Sequence, residues 1–162
     1  MLNLDFDDDR KLLRDSFARF FDEESSIARV RAAEPLGFDP ALQKSLGEMG
    51  ALGIRVPESA GGSGAGLIDA ALLVEEAGRT LASAPLVEGM VACRLLAELG
   101  GPAEWLEAAL AGDKVMTLAL HEARPGVAQV VPAGAVAHGV LALEGEAVVL
   151  PVSYTHLDAA DE

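Results

Sequence analysis

The segment 51–81 constrains the fold of this chain more than any other. An apolar run, Ala51-Leu-Gly-Ile-Arg-Val56, ends at Pro57. A glycine-dense stretch follows, Gly61-Gly-Ser-Gly-Ala-Gly66, and an amphipathic pattern restarts at Leu67-Ile-Asp-Ala-Ala-Leu-Leu-Val. Glycine is the residue that tolerates positive φ, so the stretch predicts a tight turn that hands the chain to a helix. Bare backbone N–H groups ahead of a helix also suggest a phosphate cradle. The details disfavour that reading: the spacing is not G-x-G-x-x-G, and Gly66 is followed by Leu67-Ile68 rather than Lys-Ser/Thr. The turn is expected to be architectural.

Helical periodicity covers residues 7–112. Asp7-Asp8-Asp9 place negative charge where a helix N-terminus is electropositive. Leu13, Phe17 and Phe20 then form one apolar face, with Asp15 and Arg19 able to pair on the wet side. A second helix begins at Asp39-Pro40, a capping residue followed by proline at the first helical position. It is expected to bury Leu42, Leu46 and Met49 and to end at Gly50 in a left-handed cap. A third spans 67–81 with a Glu75/Arg79 pair. A fourth starts near Pro85, presents Leu86, Met90 and Leu95, and stops at Gly100-Gly101; a short fifth runs from Pro102 to Gly112.

The pattern changes at Lys114. Residues 115–120, 127–131, 140–143 and 147–152 read as short strands, and Glu144-Gly145-Glu146 suggests a hairpin between the last two. The expected fold is therefore mainly α. A helical bundle domain (1–113) is followed by the start of an incomplete antiparallel β-domain (114–152). The tail 153–162 breaks the strand pattern and resembles translated adapter read-through, so it is expected to be non-native.

Composition removes several classes of function. The formal net charge is −14, from 26 acidic and 12 basic residues, which disfavours a nucleic-acid or anionic-membrane surface. Cys93 is the only cysteine, so the chain holds no internal disulfide and no thiolate metal cage. It reads as a small buried hydrophobe rather than a reactive thiol. His121, His138 and His156 lack metal-ligand spacing. No apolar run is long enough to span a bilayer, and the N-terminus lacks signal-peptide features, so a reducing, cytoplasmic setting is expected. Ser45, Ser59, Ser63 and Ser83 have no G-x-S-x-G frame. Glu75 and Glu76 are adjacent on a helix and point about 100° apart, which makes one of them solvated and the other a rim residue rather than a catalytic pair. Trp105 is expected to be a packing anchor.

The order of helix, Gly-rich turn, helix, together with Leu12-Leu-Arg-Asp-Ser16 and Leu81-Ala-Ser-Ala-Pro-Leu-Val-Glu88, resembles the N-terminal helical domain of the acyl-CoA dehydrogenases. The resemblance covers about residues 3–152 and is strongest over 50–90. It implies an FAD-dependent oxidoreductase of fatty acid metabolism that desaturates an acyl-CoA thioester and passes electrons to an acceptor. Such proteins have a helical domain, a middle β-domain and a C-terminal helical bundle, and assemble as homo- or hetero-oligomers. A carboxylate base from the bundle removes the α-proton while hydride leaves the β-carbon for the flavin. In the family the Gly-rich turn connects helices beside the acyl-chain tunnel.

In the family the first strand of the middle domain ends in a flavin-lining segment, aromatic-x-x-Thr-Glu-Pro, with Gly-Ser-Asp a few residues on. Here Leu118-Ala-Leu-His-Glu-Ala123 holds that place. Glu122 and Gly126 match, His121 stands where the threonine would be, and Val127-Ala128 replace Ser-Asp. Leu118, Leu120 and His121 are thereby the positional candidates for flavin contact, although a lone histidine at a strand end is more often a solvent-edge residue. No residue is assigned a catalytic or metal-binding role. The base, the second flavin loop and the pyrophosphate-binding residues are expected beyond Val152, so residues 1–162 alone are expected to be inactive. A non-catalytic subunit of a hetero-oligomer and a free-standing helical binding module are the rival readings.

Overall fold

The computed structural model describes residues 5–124 and 127–150. Six helices come first: α1 (Asp8–Glu24), α2 (Ile27–Ala32), α3 (Pro40–Glu48), α4 (Leu67–Arg79), α5 (Leu86–Glu98) and α6 (Ala103–Leu110). Three strands follow: β1 (Met116–Leu118), β2 (Gly139–Glu144) and β3 (Ala147–Val149). The chain is thus mainly helical, with a small sheet at its C-terminal end. The sheet, in the order β1-β2-β3, is mixed rather than antiparallel throughout: β1 runs parallel to β2, and only the β2–β3 hairpin is antiparallel. The parallel pairing follows from the long excursion 119–138 between the two strands, since a crossover rather than a tight turn joins them.

Local chemistry sets the helix ends. The Asp7 carboxylate accepts the Arg10 backbone N–H, and Asp8 and Asp9 sit in the first turn of α1. Asp39 accepts the N–H groups of Ala41 and Leu42 at 2.9 and 3.1 Å, with Pro40 opening α3. Past its end, Gly50 has φ +72°. The helix α2, which the hydrophobic pattern does not announce, is a single short piece with no buried residue and is capped by Ser26.

The larger core lies between α1, α3, α4 and α5. Phe21 and Leu73 are fully buried, with Phe17, Leu42, Leu46, Ile54, Leu86 and Met90 around them. Phe17, Phe20 and Phe21 pack ring to ring, Phe20 and Phe21 edge-on with centroids 5.1 Å apart. Burying one such ring contributes about 2–3 kcal/mol. Two ion pairs fasten α1 to α4: Arg10 Nε to Asp69 at 2.9 Å and Arg79 Nη1 to Asp22 at 2.8 Å. A second core joins α5 and α6 to β1 and β2 through Cys93, Leu96, Leu106, Met116 and Leu141. Trp105 packs against it, and its ring lies 4.4 Å from the Lys114 ammonium, as expected of an anchor.

Several sequence-based expectations change. Phe21, not Phe20, is the deepest ring on α1, and Met49 is 44% exposed because it lies past the end of α3. Leu96 lies deeper than Leu95, which is half-buried between the second core and an open groove. Arg79 pairs with Glu76, not Glu75, because its bond to Asp22 draws it toward α1. Arg14 takes Asp15 in place of Arg19. The strand expected at 127–131 does not form. Val127 makes one isolated bridge with Arg124, and Val130 has φ +53°, which breaks extended backbone. The tail 153–162 lies outside the described residues.

Candidate functional site

The Gly-rich turn is closed upon itself. The N–H of Gly62 donates to Pro57 O, Ser63 to Gly53 O, Gly64 to Val56 O and Ala65 to Ile54 O. The Gly66 N–H donates to the Asp69 carboxylate at 2.8 Å. These donors are consumed inside the protein, so the cluster has little left for an anion. Its work is to hold residues 51–56 rigid. A Cβ on Gly62 would stand 2.2 Å from Val56 O and 2.4 Å from Val56 Cβ, so only glycine allows this approach.

That rigid run carries the site. Ala51, Leu52, Ile54 and Val56 are buried, whereas Arg55 emerges into a groove of about 430 Å³ between α4 and α5. Val74, Val87, Met90, Val91 and Leu95 give the groove an apolar wall, and Arg94 stands at its edge. Leu67, Val87 and Val91 are 72%, 47% and 41% exposed, an unusual density of open apolar surface on adjacent helices. The Arg55 Nε is buried and has no hydrogen-bond partner among the described residues. Arg94 pairs with Glu98 at 2.7 Å. Neither arginine stands out in the sequence; the available signal is a lone cation inside an otherwise apolar run.

The positional flavin candidates lie elsewhere, at the end of β1. Leu118 is half-buried against the second core, Leu120 is 60% exposed, and His121 and Glu122 are exposed. The N–H groups of Ala119 and Ala123 donate to Leu141 O and Leu143 O at 2.8 and 2.7 Å. The intervening N–H groups of Leu120, His121 and Glu122 make no hydrogen bond among the described residues. An exposed leucine beside open backbone donors fits one edge of a flat, heteroatom-bearing ring, so the segment is compatible with a flavin.

Cys93 is buried in the second core, and burial pushes its thiol up to about 12. It carries no thiolate chemistry. Glu75 is exposed and Glu76 sits half-buried on Arg79, so they form no shared acid–base site. Among the described residues no cluster of histidine, cysteine and carboxylates could hold a metal, and no helix is long and apolar enough to cross a membrane.

The chain is thus a helical domain with an open apolar groove, joined to a small mixed sheet, and the family comparison gives that architecture its class. Residues 7–113 match the acyl-CoA dehydrogenase N-terminal domain, and the chain belongs to the acyl-CoA dehydrogenase family. It is 33% identical to benzylmalonyl-CoA dehydrogenase of Aromatoleum aromaticum over 132 residues, 77% of this chain and 35% of that protein. It is 38% identical to the acyl-CoA dehydrogenase IpdE2 of Mycolicibacterium smegmatis over 114 residues, 68% of this chain and 36% of that protein. Among solved structures, the Tcur3481-Tcur3483 steroid ACAD G363A variant superposes with a TM-score of 0.76 at 28% identity, covering 90% of this chain and 48% of the other. The ChsE4-ChsE5 complex from Mycobacterium tuberculosis (TM-score 0.74, 24% identity, 94% and 49% covered) shares the fold. The chain thus spans about a third of those two relatives and about half of the solved chains.

Proposed function

We propose that this chain is the front part of an FAD-dependent acyl-CoA dehydrogenase, whose whole form desaturates an acyl-CoA thioester between the α- and β-carbons. The observation that carries the reading is the family match over 7–113 together with the apolar groove on that same domain. The α4–α5 face supplies one wall for the hydrocarbon of the thioester, and the remainder of the protein supplies the other. Excluding water there keeps the site dry, as abstraction of a weakly acidic α-proton requires. Leu118, Leu120 and His121 would border the flavin, which when bound supplies the hydride acceptor. Residues 1–113 form the helical domain, 114–152 the start of the β-domain, and the protein works in the cytoplasm as an oligomer with an electron acceptor.

Among the described residues no carboxylate lines the groove, which supports a base from elsewhere in the parent protein and an inactive 1–162. Reading the source DNA across and beyond the Val152 codon tests this. A continuing frame that encodes the rest of a β-domain and a helical bundle with an Asp or Glu facing the groove supports the enzyme. Flavin reduction by an acyl-CoA in purified 1–162 would refute the inactivity.

A second reading is a non-catalytic subunit of a hetero-oligomer. It draws on His121 and Val127-Ala128 standing where the family carries Thr and Ser-Asp. A continuing frame without the carboxylate would favour it.

A further inference from the structure

The arginines of the α4–α5 groove have no task in the reaction as described. Arg55 projects from a run whose other side chains are core, so its backbone is fixed. It is half-buried, its Nε is fully enclosed, and no carboxylate pairs with it among the described residues. The chain carries 26 acidic against 12 basic residues, so partners are plentiful. Arg10, Arg14, Arg29, Arg79 and Arg94 all have one. Arg19, Arg31 and Arg124 have none but are exposed to water, which satisfies them. Arg55 alone combines enclosure with a missing partner. A half-buried guanidinium with one enclosed nitrogen is costly to leave unpaired, and its planar fork matches a carboxylate.

Arg94 lines the same groove. Its Nε is taken by Glu98, which leaves its terminal nitrogens available. Among the described residues no acidic side chain lines the groove, and its walls are otherwise almost wholly hydrocarbon. An occupant that complements this surface is an apolar group bearing one anion.

Resting on the acyl-binding reading above, we infer that the groove selects an acyl thioester whose acyl part carries a second, free carboxylate, held by Arg55 with Arg94 assisting. The hydrocarbon of the ligand covers Val74, Val87 and Val91, and the carboxylate accepts from the Arg55 guanidinium. The preference then comes from two directions. A carboxylate gains the charged hydrogen bonds, while a plain alkyl chain leaves Arg55 buried and unpaired.

The test compares octanoyl-CoA with the CoA monothioester of octanedioic acid, equal in chain length and different by the terminal carboxylate. Binding is measured by titration calorimetry on the protein in the full context of its reading frame. The carboxyacyl thioester should bind about tenfold or more tighter, and Arg55→Gln should abolish the difference by weakening the carboxyacyl thioester without weakening octanoyl-CoA. Should Arg55→Gln fail to fold, Arg94→Gln, on an exposed helix face, should reduce the preference about threefold. Equal or tighter binding of octanoyl-CoA by the unaltered protein overturns the inference and leaves the acyl-binding reading standing. A preference that survives both substitutions overturns it as well. If Arg55→Gln weakens both thioesters alike and lowers Tm, Arg55 serves a carboxylate of the protein itself and the inference falls. Binding of neither thioester removes the acyl-binding reading and this inference together.

Discussion

Placing a methyl group at Gly62 should be among the most damaging of the smallest possible changes to this chain. In Gly62→Ala the new Cβ would lie 2.2 Å from Val56 O, 2.4 Å from Val56 Cβ and 2.6 Å from Gly53 O. Two of those three atoms are backbone, so no side-chain rotation relieves the contact. Relief means moving the turn, which stretches the bonds from Gly62 N–H to Pro57 O at 3.1 Å and from Gly64 N–H to Val56 O at 2.8 Å. Overpacking of this kind costs about 1–3 kcal/mol, and weakening two backbone bonds adds about 1 kcal/mol. A total of about 3 kcal/mol corresponds to a Tm lower by about 6–12 °C for a domain of this size. Gly78→Ala is the control with the opposite sign. It lies in α4 with nothing within 4 Å of its added Cβ, and should raise stability by about 0.5–1 kcal/mol. Circular dichroism melts of both variants check the pair. A Gly62→Ala Tm within about 2 °C of the unaltered chain would refute the tight-approach argument.

Other outcomes follow from the buried groups. Cys93, with its thiol pushed up to about 12, should resist iodoacetamide in the native state at pH 8 and react only after denaturation; rapid native labelling, read by mass spectrometry, would contradict its burial. Asp39 has two opposing influences. Burial raises its pKa, but Arg29, the Leu42 N–H and the Ala41 N–H together hold it below the ordinary carboxylate value. Its folded pKa is the lower one, so its stabilisation is present above the unfolded carboxylate range and is lost as pH falls through the folded value. The midpoint in urea should therefore drop on acidification below about pH 4 less steeply in Asp39→Asn than in the unaltered chain. Truncating the fully buried Leu73 in Leu73→Ala should cost about 2–5 kcal/mol, measured by urea unfolding. Arg79→Ala, which removes exposed pairs to Asp22 and Glu76, should cost less than about 1 kcal/mol in the same assay.

Local chemistry was legible residue by residue. The Asp39-Pro40 start, the left-handed Gly50, the turn at 61–66 and the break at Gly100 all follow from interactions spanning a few residues. The same holds for the hairpin at Gly145, where φ is +61°. The short α2 was not legible because it buries nothing and so leaves no periodic trace. The strand expected at 127–131 failed for a related reason: a β-type run is only a strand when a neighbour offers a ladder, and here the backbone bends at Val130 instead.

What the sequence determined by itself was the division into a helical part and the start of a sheet, the caps and turns that punctuate it, and the family to which 7–113 belong. Periodicity and capping act over one or two helical turns and are written in the order of residues. Only the tertiary structure decided that Phe21 and Leu96 lie deeper than their neighbours, and that β1 runs parallel to β2. It also decided that Arg55 stands in an apolar groove with no partner among the described residues. Depth and pairing depend on groups brought together from distant parts of the chain, and no spacing along the sequence encodes which carboxylates will be absent from a given place.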